Sequence, residues 1–302
     1  MVSEMDKIIN VTNLTKFYGK KQALSDVALS IPENSIVGLV GRNGSGKTTL
    51  MKILAGRLDK SGGDVKVFNE EPMDNLKVQT KLVYTYHNVP FDPNWNLKTI
   101  LYGYNKMFPS FDNDFANKLM NLFDLEGKMK YRSLSQGMAS VFNFLCALSC
   151  RASLTLLDEP VLGMDVTVRK TAYEILLRDF TEFPRTFIIS SHLLSEIEGV
   201  LSDIVLIETG RIILAGSIDD VRNSAYRLDG NIEVIEKYVK DKKVIYKKVN
   251  EMSSFAIIQE KYSENVMEAA NEAGLELSPV RTEDLCVYLT RQDKEGEIEC
   301  LW

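Results

Sequence analysis

The chain has 302 residues, of which 45% are hydrophobic and 26% are charged, and its formal net charge at pH 7 is −6. These proportions are typical of a globular protein and argue against a disordered or fibrous chain, while the negative total argues against a general nucleic-acid binder. The usual prior of about 150 residues per domain predicts roughly two domains.

The amino-terminal part of the sequence predicts short strands that lead into a buried strand and a helix. Residues 8–11 and 28–31 are short runs of apolar and polar residues that end in turn sequences, which is typical of strands joined by turns. The continuous apolar run Ile36–Val40 predicts a strand buried in a parallel sheet. A glycine-rich turn follows this strand, and residues 49–54 then have a helical pattern.

The middle of the sequence continues the alternation of strands and helices. Residues 97–150 have a mainly helical pattern with breaks at Pro109 and Gly127. Two short buried strands are predicted at residues 154–157 and 186–190, with a helical stretch at residues 169–180 between them. This alternation predicts an α/β domain with a parallel sheet.

The composition changes after Gly216. Residues 218–302 are richer in charge and predict short mixed elements, including a strand around residues 257–258 and a helix over residues 265–273. We therefore predict two domains, residues 1–217 with a helical part at about 97–150, and residues 218–302 as a small α+β domain.

Neither a membrane span nor a signal peptide is predicted from the hydropathy pattern. The longest apolar runs fall short of the roughly 18 residues of a spanning helix or contain charges, and acidic residues occur early in the chain. Of the four cysteines, Cys146 and Cys150 would share one face of a helix, which fits either a metal or redox pair or two buried thiols. We expect a cytosolic, reduced protein.

A glycine-rich motif between the buried strand and the following helix predicts a phosphate-binding loop. Residues 41–48 match the pattern G-x-x-x-x-G-K-[ST], whose backbone N–H groups cradle phosphates at a helix N-terminus. In this pattern Lys47 reaches the β- and γ-phosphates and Thr48 binds Mg²⁺. The predicted nucleotide-contacting residues are Gly41, Arg42, Asn43, Gly44, Ser45, Gly46, Lys47, Thr48 and Thr49.

Two adjacent acids, Asp158 and Glu159, follow the predicted strand at residues 154–157. A carboxylate at the carboxyl end of a strand beside a phosphate loop suits metal binding in phosphoryl transfer, which predicts Asp158 as a ligand of Mg²⁺. Glu159 is then positioned to accept a proton from water as a general base.

Together the motifs resemble the ATP-binding subunit of an ABC transporter. The resemblance covers about residues 7–217, and its motifs lie at residues 41–48, 134–138, 157–160, 163–165 and 190–192. Residues 108–112 and 191–198 further resemble exporter ATPases of Gram-positive bacteria linked to antimicrobial-peptide or antibiotic resistance. The resemblance implies a P-loop ATPase domain with a parallel core, an antiparallel β edge and a helical subdomain.

The resemblance also implies roles for residues outside the phosphate loop. Tyr18 falls where the family stacks an aromatic ring on adenine, and His192 where a histidine senses the γ-phosphate and steadies the attacking water. His87 occupies the position of a glutamine that helps to bind Mg²⁺ and water. An alternative for Tyr18 is a surface turn residue, and an alternative for His87 is a loop histidine without metal contact.

The family's signature sequence corresponds to residues 134–138, and the resemblance implies that these residues contact the γ-phosphate bound to an opposite protomer. Ser135, Gln136 and Gly137 would make this contact, and Asp165 belongs to the loop that connects the two sites of the dimer. Gln136 replaces the usual first glycine and Met138 the usual glutamine. These departures leave open whether a homodimer hydrolyses ATP at full rate.

The function that the resemblance implies is ATP hydrolysis that powers export through separate integral-membrane subunits. The catalytic residues would be Lys47, Glu159 and His192, with ATP and Mg²⁺ as cofactors and a second ABC ATPase subunit, identical or different, as partner. The chain would lie on the cytoplasmic face of the membrane, and no nucleic acid is expected. The alternatives are a soluble ABC ATPase with a non-membrane partner and a nucleotide-gated binding module with little hydrolysis.

Overall fold

The chain divides into two structural units, residues 1–215 and 216–302. The computed structural model describes residues 7–86, 89–249 and 254–290. The strands of the first unit are β1 (Lys7–Tyr18), β2 (Lys21–Pro32), β3 (Ile36–Val40), β4 (Gly62–Val67), β5 (Leu82–Tyr86), β6 (Leu154–Asp158), β7 (Thr186–Ser191), β8 (Asp203–Glu208) and β9 (Arg211–Ser217). The last strand, β9, ends two residues past the boundary between the units.

Six of these strands form the central sheet in the order β5-β6-β7-β3-β8-β9. Neighbouring strands from β5 to β8 run parallel. Every residue of β3, β6 and β7 is buried, because both faces of a parallel sheet are covered by other elements. Parallel strands bring their carboxyl ends to one edge, so the segments that follow β3, β6 and β7 lie side by side.

A second, antiparallel sheet has the order β2-β1-β4. Its buried side chains share one hydrophobic cluster with the central sheet, in which Val11 and Leu24 from the antiparallel sheet join Leu156 and Val205 from the parallel one. The cluster holds the β1–β2 turn close to the carboxyl edge of the central sheet. The six-stranded sheet is the parallel core and the three-stranded sheet is the antiparallel β edge that were predicted from the sequence.

Most helices of the first unit begin at a polar side chain that accepts a hydrogen bond from the first turn, and the exceptions are α1 and α7. They are α1 (Lys47–Leu54), α2 (Leu76–Gln79), α3 (Leu97–Met107), α4 (Asn113–Leu122), α5 (Gln136–Ser149), α6 (Val166–Glu182) and α7 (Leu194–Ile197). The side chains of Asn96, Asp112, Ser135 and Asp165 accept hydrogen bonds at the starts of α3, α4, α5 and α6. No described helix is both long enough and apolar enough to span a membrane.

The second unit contains one antiparallel sheet of four strands. Its elements are α8 (Ile218–Arg222), β10 (Tyr226–Gly230), α9 (Ile232–Tyr238), β11 (Val244–Lys248), β12 (Ser254–Ile258), α10 (Glu264–Glu272), β13 (Glu276–Pro279) and α11 (Thr282–Thr290). The strand order is β11-β12-β10-β13. This order and the βαββαβ sequence of elements are those of the ferredoxin-like fold. Its core includes Tyr226, Ile235, Ile258 and Ala270.

The described cysteines are buried thiols. At the carboxyl end of α5, the Sγ atom of Cys150 donates a hydrogen bond to the carbonyl oxygen of Cys146 at 3.1 Å. Burial raises the pKa of both thiols well above the ordinary value, so they remain protonated. Cys286 is buried on α11, and Cys300 lies outside the described residues. The α5 thiols therefore pack as small hydrophobic side chains.

The division into units predicts that residues 1–217 fold without the rest of the chain, because both sheets of the first unit are then complete. We expect circular dichroism of this fragment to show one cooperative thermal transition. A shorter fragment, residues 1–202, is the control: it lacks β8, whose buried residues pair with β3, and should not fold. A fragment 1–217 without a cooperative transition would contradict the prediction.

Candidate functional site

The phosphate-loop motif connects β3 to α1 as a tight turn. The N–H group of Ser45 donates to the carbonyl oxygen of Arg42 at 3.1 Å, and Gly46 caps α1 with a φ angle of 114°. A residue with a Cβ atom is strained at this φ, and the added atom would lie 2.9 Å from the side chain of Leu24. Glycine at position 46 therefore lets the loop N–H groups and the helix N-terminus converge on one point.

The side chain of Lys47 is buried at the start of α1. Its Nζ atom donates to the carbonyl oxygens of Gly41 at 2.7 Å and Arg42 at 3.3 Å, and lies 3.7 Å from Oε1 of Glu159. Burial lowers the pKa of Lys47, and the negative charges of Glu159 and Asp158 oppose this shift. A desolvated ammonium group gains more from an added anion than an exposed one, which favours phosphate at this position.

The acid pair lies at the carboxyl end of β6. Asp158 is buried, and its carboxylate accepts hydrogen bonds from the Ser190 hydroxyl at 2.6 Å and the Tyr84 hydroxyl at 3.2 Å. Burial and the nearby charge of Asp158 raise the pKa of Tyr84, which keeps this phenol a donor. The backbone N–H of Glu159 donates to the Ser190 hydroxyl at 2.9 Å. Hydrogen bonds from β5 and β7, the two strands that flank β6, therefore fix the position of both acids.

Glu159 has a left-handed backbone conformation with a φ angle of 49°. Such a conformation costs free energy in a residue other than glycine and persists only where surrounding contacts hold it. The Glu159 side chain contacts both Lys47 and His192, with 2.9 Å between its Oε2 atom and Nδ1 of His192. The carboxylate, which extends from the end of β6, thus contacts the phosphate-loop lysine on one side and the histidine that follows β7 on the other.

Lys47 and Glu159 line a cavity of about 530 Å³ at the carboxyl edge of the sheet, whereas Asp158 and His192 are not part of its lining. This volume lies within the usual range for small-molecule sites, about 300–1,000 Å³. The predicted residues that line the cavity are Tyr18, Asn43, Gly44, Gly46, Lys47, Thr48, Thr49 and Glu159. Sequence reasoning missed the residues that complete the wall, which are Lys21, Gln22 and Ala23 at the start of β2 and Thr209 and Gly210 in the β8–β9 turn.

The predicted signature residues do not line this cavity. Ser135, Gly137 and Asp165 line a separate cavity of about 350 Å³ between α5 and the segment before α6. A Cβ atom on Gly137 would lie 2.6 Å from the carbonyl oxygen of Gly163, so these two segments are in close contact. Ser135 and Gln136 are exposed at the N-terminus of α5. Within one chain, the predicted nucleotide-contacting residues therefore form two clusters.

Arg169 links the signature side of the molecule to the His192 segment, and the sequence analysis did not identify it. Its guanidinium group donates to the carbonyl oxygen of Met164 at 3.1 Å and forms an ion pair with Glu196 on α7. Met164 directly precedes Asp165, and Glu196 lies in the segment that begins with His192. Because one guanidinium group contacts both segments, it fixes them relative to each other.

The residues at the cavity suit a magnesium ion bound with a nucleotide. Mg²⁺ prefers hard oxygen ligands and is usually held by one or two carboxylates together with substrate phosphates. Asp158 supplies a buried carboxylate and Thr48 a hydroxyl, and the buried Ser45 hydroxyl has no hydrogen-bond partner. In the described parts of the chain no cluster of three metal-binding side chains occurs. His87, the other predicted metal ligand, lies outside the described residues.

Comparisons with known proteins identify relatives of the chain. The sequence profile of the ABC transporter family matches residues 24–162. The ABC transporter ATP-binding protein YtrB of Bacillus subtilis (strain 168) is 28% identical over 238 residues, which cover 77% of this chain and 82% of YtrB. The lantibiotic transport ATP-binding protein SrtF of Streptococcus pyogenes is 30% identical over 220 residues, which cover 72% of this chain and 93% of SrtF.

A solved structure has the same fold. It is a dimeric ATP-binding cassette in a post-hydrolysis state with ADP and Pi bound, and it matches with a TM-score of 0.63 and 19% identity. The match covers 70% of this chain and 98% of the cassette. Together with the family match, this confirms the fold class and the family resemblance predicted from the sequence.

The geometry of Lys47 predicts a loss of nucleotide binding in Lys47→Ala. The dissociation constant for ATP should rise about 10- to 100-fold, because a hydrogen bond to a charged group contributes about 1.5–3 kcal/mol. Titration calorimetry measures the affinity, with Lys52→Ala on the same helix as the control. ATP hydrolysis at the parent rate by a folded Lys47→Ala protein would show that the loop does not hold the phosphates.

Proposed function

The chain belongs to the ABC transporter family of ATP-binding proteins, and we propose from the geometry of its cavity that it hydrolyses ATP to power export through separate membrane subunits. The observation that carries this proposal is the double contact of Glu159. Its carboxylate lies 3.7 Å from the Lys47 ammonium and 2.9 Å from the His192 ring, beside the phosphate loop. A base, a histidine and a phosphate-facing cation thus meet where a γ-phosphate would lie.

The proposed reaction is attack of water on the γ-phosphorus of ATP. The water oxygen forms the new bond to phosphorus, its proton passes to the Glu159 carboxylate, and the bond between the γ-phosphorus and the bridging oxygen breaks to release ADP. His192 holds the Glu159 carboxylate on one side and would steady the water. Lys47 and the N–H groups of the loop would stabilise the negative charge on the phosphates.

We assign Thr48 and Asp158 as the residues that would hold Mg²⁺ with the nucleotide. When bound, the ion neutralises negative charge on the β- and γ-phosphates. The support for this assignment is the buried carboxylate of Asp158 at the end of β6 and the position of Thr48 in the cavity wall. His87 stays a candidate from the sequence alone.

Tyr18 is our candidate for contact with the adenine ring. It lines the cavity at the end of β1 and is 49% exposed, which leaves its ring face open to a base. The Nζ atom of Lys16 lies 5.4 Å from the centre of the ring on one side. Stacking of a base on an aromatic ring contributes about 1–3 kcal/mol and tolerates different bases, so we expect weak discrimination between ATP and GTP.

We further propose that two ATPase subunits close over the nucleotide. The support is the separation of Ser135, Gln136, Gly137 and Asp165 from the phosphate loop within one chain, since residues on a different surface can contact that nucleotide only from a second subunit. The exposed N-terminus of α5 suits an anion, because a helix N-terminus carries a partial positive charge. The solved cassette cited above is itself a dimer. The second subunit can be a copy of this chain or a different ATPase.

The proposed partners of this ATPase pair are integral-membrane subunits, with the chain on the cytoplasmic face of the membrane. The relative SrtF is a lantibiotic transport ATP-binding protein. We therefore propose antimicrobial peptides or antibiotics as the class of cargo. The contact between Glu159 and His192 favours hydrolysis over the alternative of a nucleotide-gated binding module.

Replacement of Glu159 by glutamine tests the proposed base. Glu159→Gln keeps the size and hydrogen bonding of the side chain but removes its basicity, so hydrolysis should fall about 10²- to 10⁴-fold while ATP binding survives. Phosphate release and titration calorimetry measure the two quantities, and Glu174→Gln on the exposed face of α6 is the control. An unchanged hydrolysis rate would exclude Glu159 as the base.

The same variant tests dimer closure, because slow hydrolysis should trap the ATP-bound state. Sedimentation should show a dimer of Glu159→Gln with MgATP and a monomer with MgADP. If ATP is bound and the variant stays monomeric, the same measurement with its natural ATPase partner decides between a homodimer and a heterodimer.

Isolation of the intact complex from membranes tests the transport function. We expect the tagged full-length chain, extracted in mild detergent, to retain a polytopic membrane protein in a fixed ratio. An untagged strain processed in parallel is the control for non-specific capture. A stable partner without membrane spans, such as a ribosome, would instead support the soluble ABC ATPase alternative.

A further inference from the structure

The carboxylate of Asp158 is held from both neighbouring strands of the central sheet. On the β7 side the Ser190 hydroxyl donates to Oδ1 at 2.6 Å, and on the β5 side the Tyr84 hydroxyl donates to Oδ2 at 3.2 Å. Each carboxylate oxygen thus has its own hydroxyl donor. A side-chain carboxylate with one donor on each oxygen cannot rotate freely about its terminal bond.

The sheet register explains how the two donors reach the same group. Ser190 lies directly opposite Asp158 in the β6–β7 pair, so its short side chain is adjacent to the carboxylate. The residue opposite Asp158 on β5 is Tyr86, and Tyr84 lies two residues earlier on the same face. The longer Tyr84 side chain spans that offset, and its ring stacks on the Tyr86 ring with 5.2 Å between centroids.

We propose that Tyr84 is a positioning residue that orients Asp158 to bind the divalent cation of the nucleotide complex, an inference that rests on the proposed ATPase function. Mg²⁺ demands near-ideal octahedral geometry, so an incorrectly rotated carboxylate binds it poorly. Hydrogen bonds from outside the ligand set orient metal ligands, and their loss typically costs about 10- to 100-fold in metal affinity or activity. The two hydroxyl groups leave lone pairs of the carboxylate free for the ion or its water.

A purely structural role for Tyr84 is the competing explanation, because its side chain is buried in the sheet. The structural role depends on the Tyr84 ring, whereas the positioning role depends on the Tyr84 hydroxyl group. Tyr84→Phe keeps the ring, its packing and the stack on Tyr86, and removes only the donor to Asp158. Tyr86→Phe is a matched control, since in the described part of the chain the Tyr86 hydroxyl makes no hydrogen bond.

The test measures metal binding directly on the full-length chain. Mn²⁺ serves as the probe, and its electron paramagnetic resonance signal reports free ion in the presence of protein and ATP. For Tyr84→Phe we expect the dissociation constant of Mn²⁺ from the protein–ATP complex to rise about tenfold. ATP affinity without metal should stay within about twofold of the parent value, as should both constants for Tyr86→Phe.

Each outcome decides the inference. Equal Mn²⁺ binding by Tyr84→Phe and the parent chain overturns it while leaving the proposed function intact. An equal loss of metal-free and metal-dependent ATP binding in Tyr84→Phe also overturns it, in favour of a structural role. If the parent chain itself forms no complex with Mn²⁺ and ATP, the proposed function and the inference fail together.

Discussion

The buried ammonium group of Lys47 is the interaction on which the nucleotide site depends. A cation removed from water requires nearby negative charge or well-aligned acceptors, and here two loop carbonyls and the Glu159 carboxylate provide them. This arrangement needs the carboxyl ends of β3 and β6 at the same edge of the sheet. The parallel strand order brings them there, and the buried residues of β3 and β6 keep both strands inside the sheet.

Residues carried by local motifs were predictable from the sequence. The phosphate loop depends on glycines and a lysine within eight positions, and Asp158 and His192 directly follow apolar strands. Contacts between distant segments were not predictable, because they depend on sheet register and on which helices pack together. Tyr84 reaches Asp158 only through the pairing of β5 with β6, and Arg169 reaches Glu196 only because α6 and α7 are neighbours. In the second unit, short strands with mixed composition predicted an α+β class but not the strand order.

The predicted nucleotide-contacting residues form two clusters, and the one at the N-terminus of α5 is exposed to water in the single chain. The N-terminus of α5 is exposed to water and carries the partial positive charge of a helix N-terminus, so an anion brought to it would replace water there. Arg169 bonds to Met164, next to Asp165 of the signature cluster, and to Glu196, in the segment that begins with His192. A displacement of the signature cluster would therefore act on the His192 segment beside the phosphate loop. In the free subunit this surface is hydrated, and a nucleotide phosphate presented by a second subunit would bind to it.

The buried cysteines give the chain internal chemical reporters of local opening. Cys146 lies on α5 of the first unit and Cys286 on α11 of the second, and both are shielded from solvent in the described structure. Thiol alkylation requires solvent access and the thiolate form, so labelling at each position follows the rate at which its own unit opens. Mass spectrometry of the labelled peptides therefore distinguishes whether the two units unfold together or in succession, without any engineered probe.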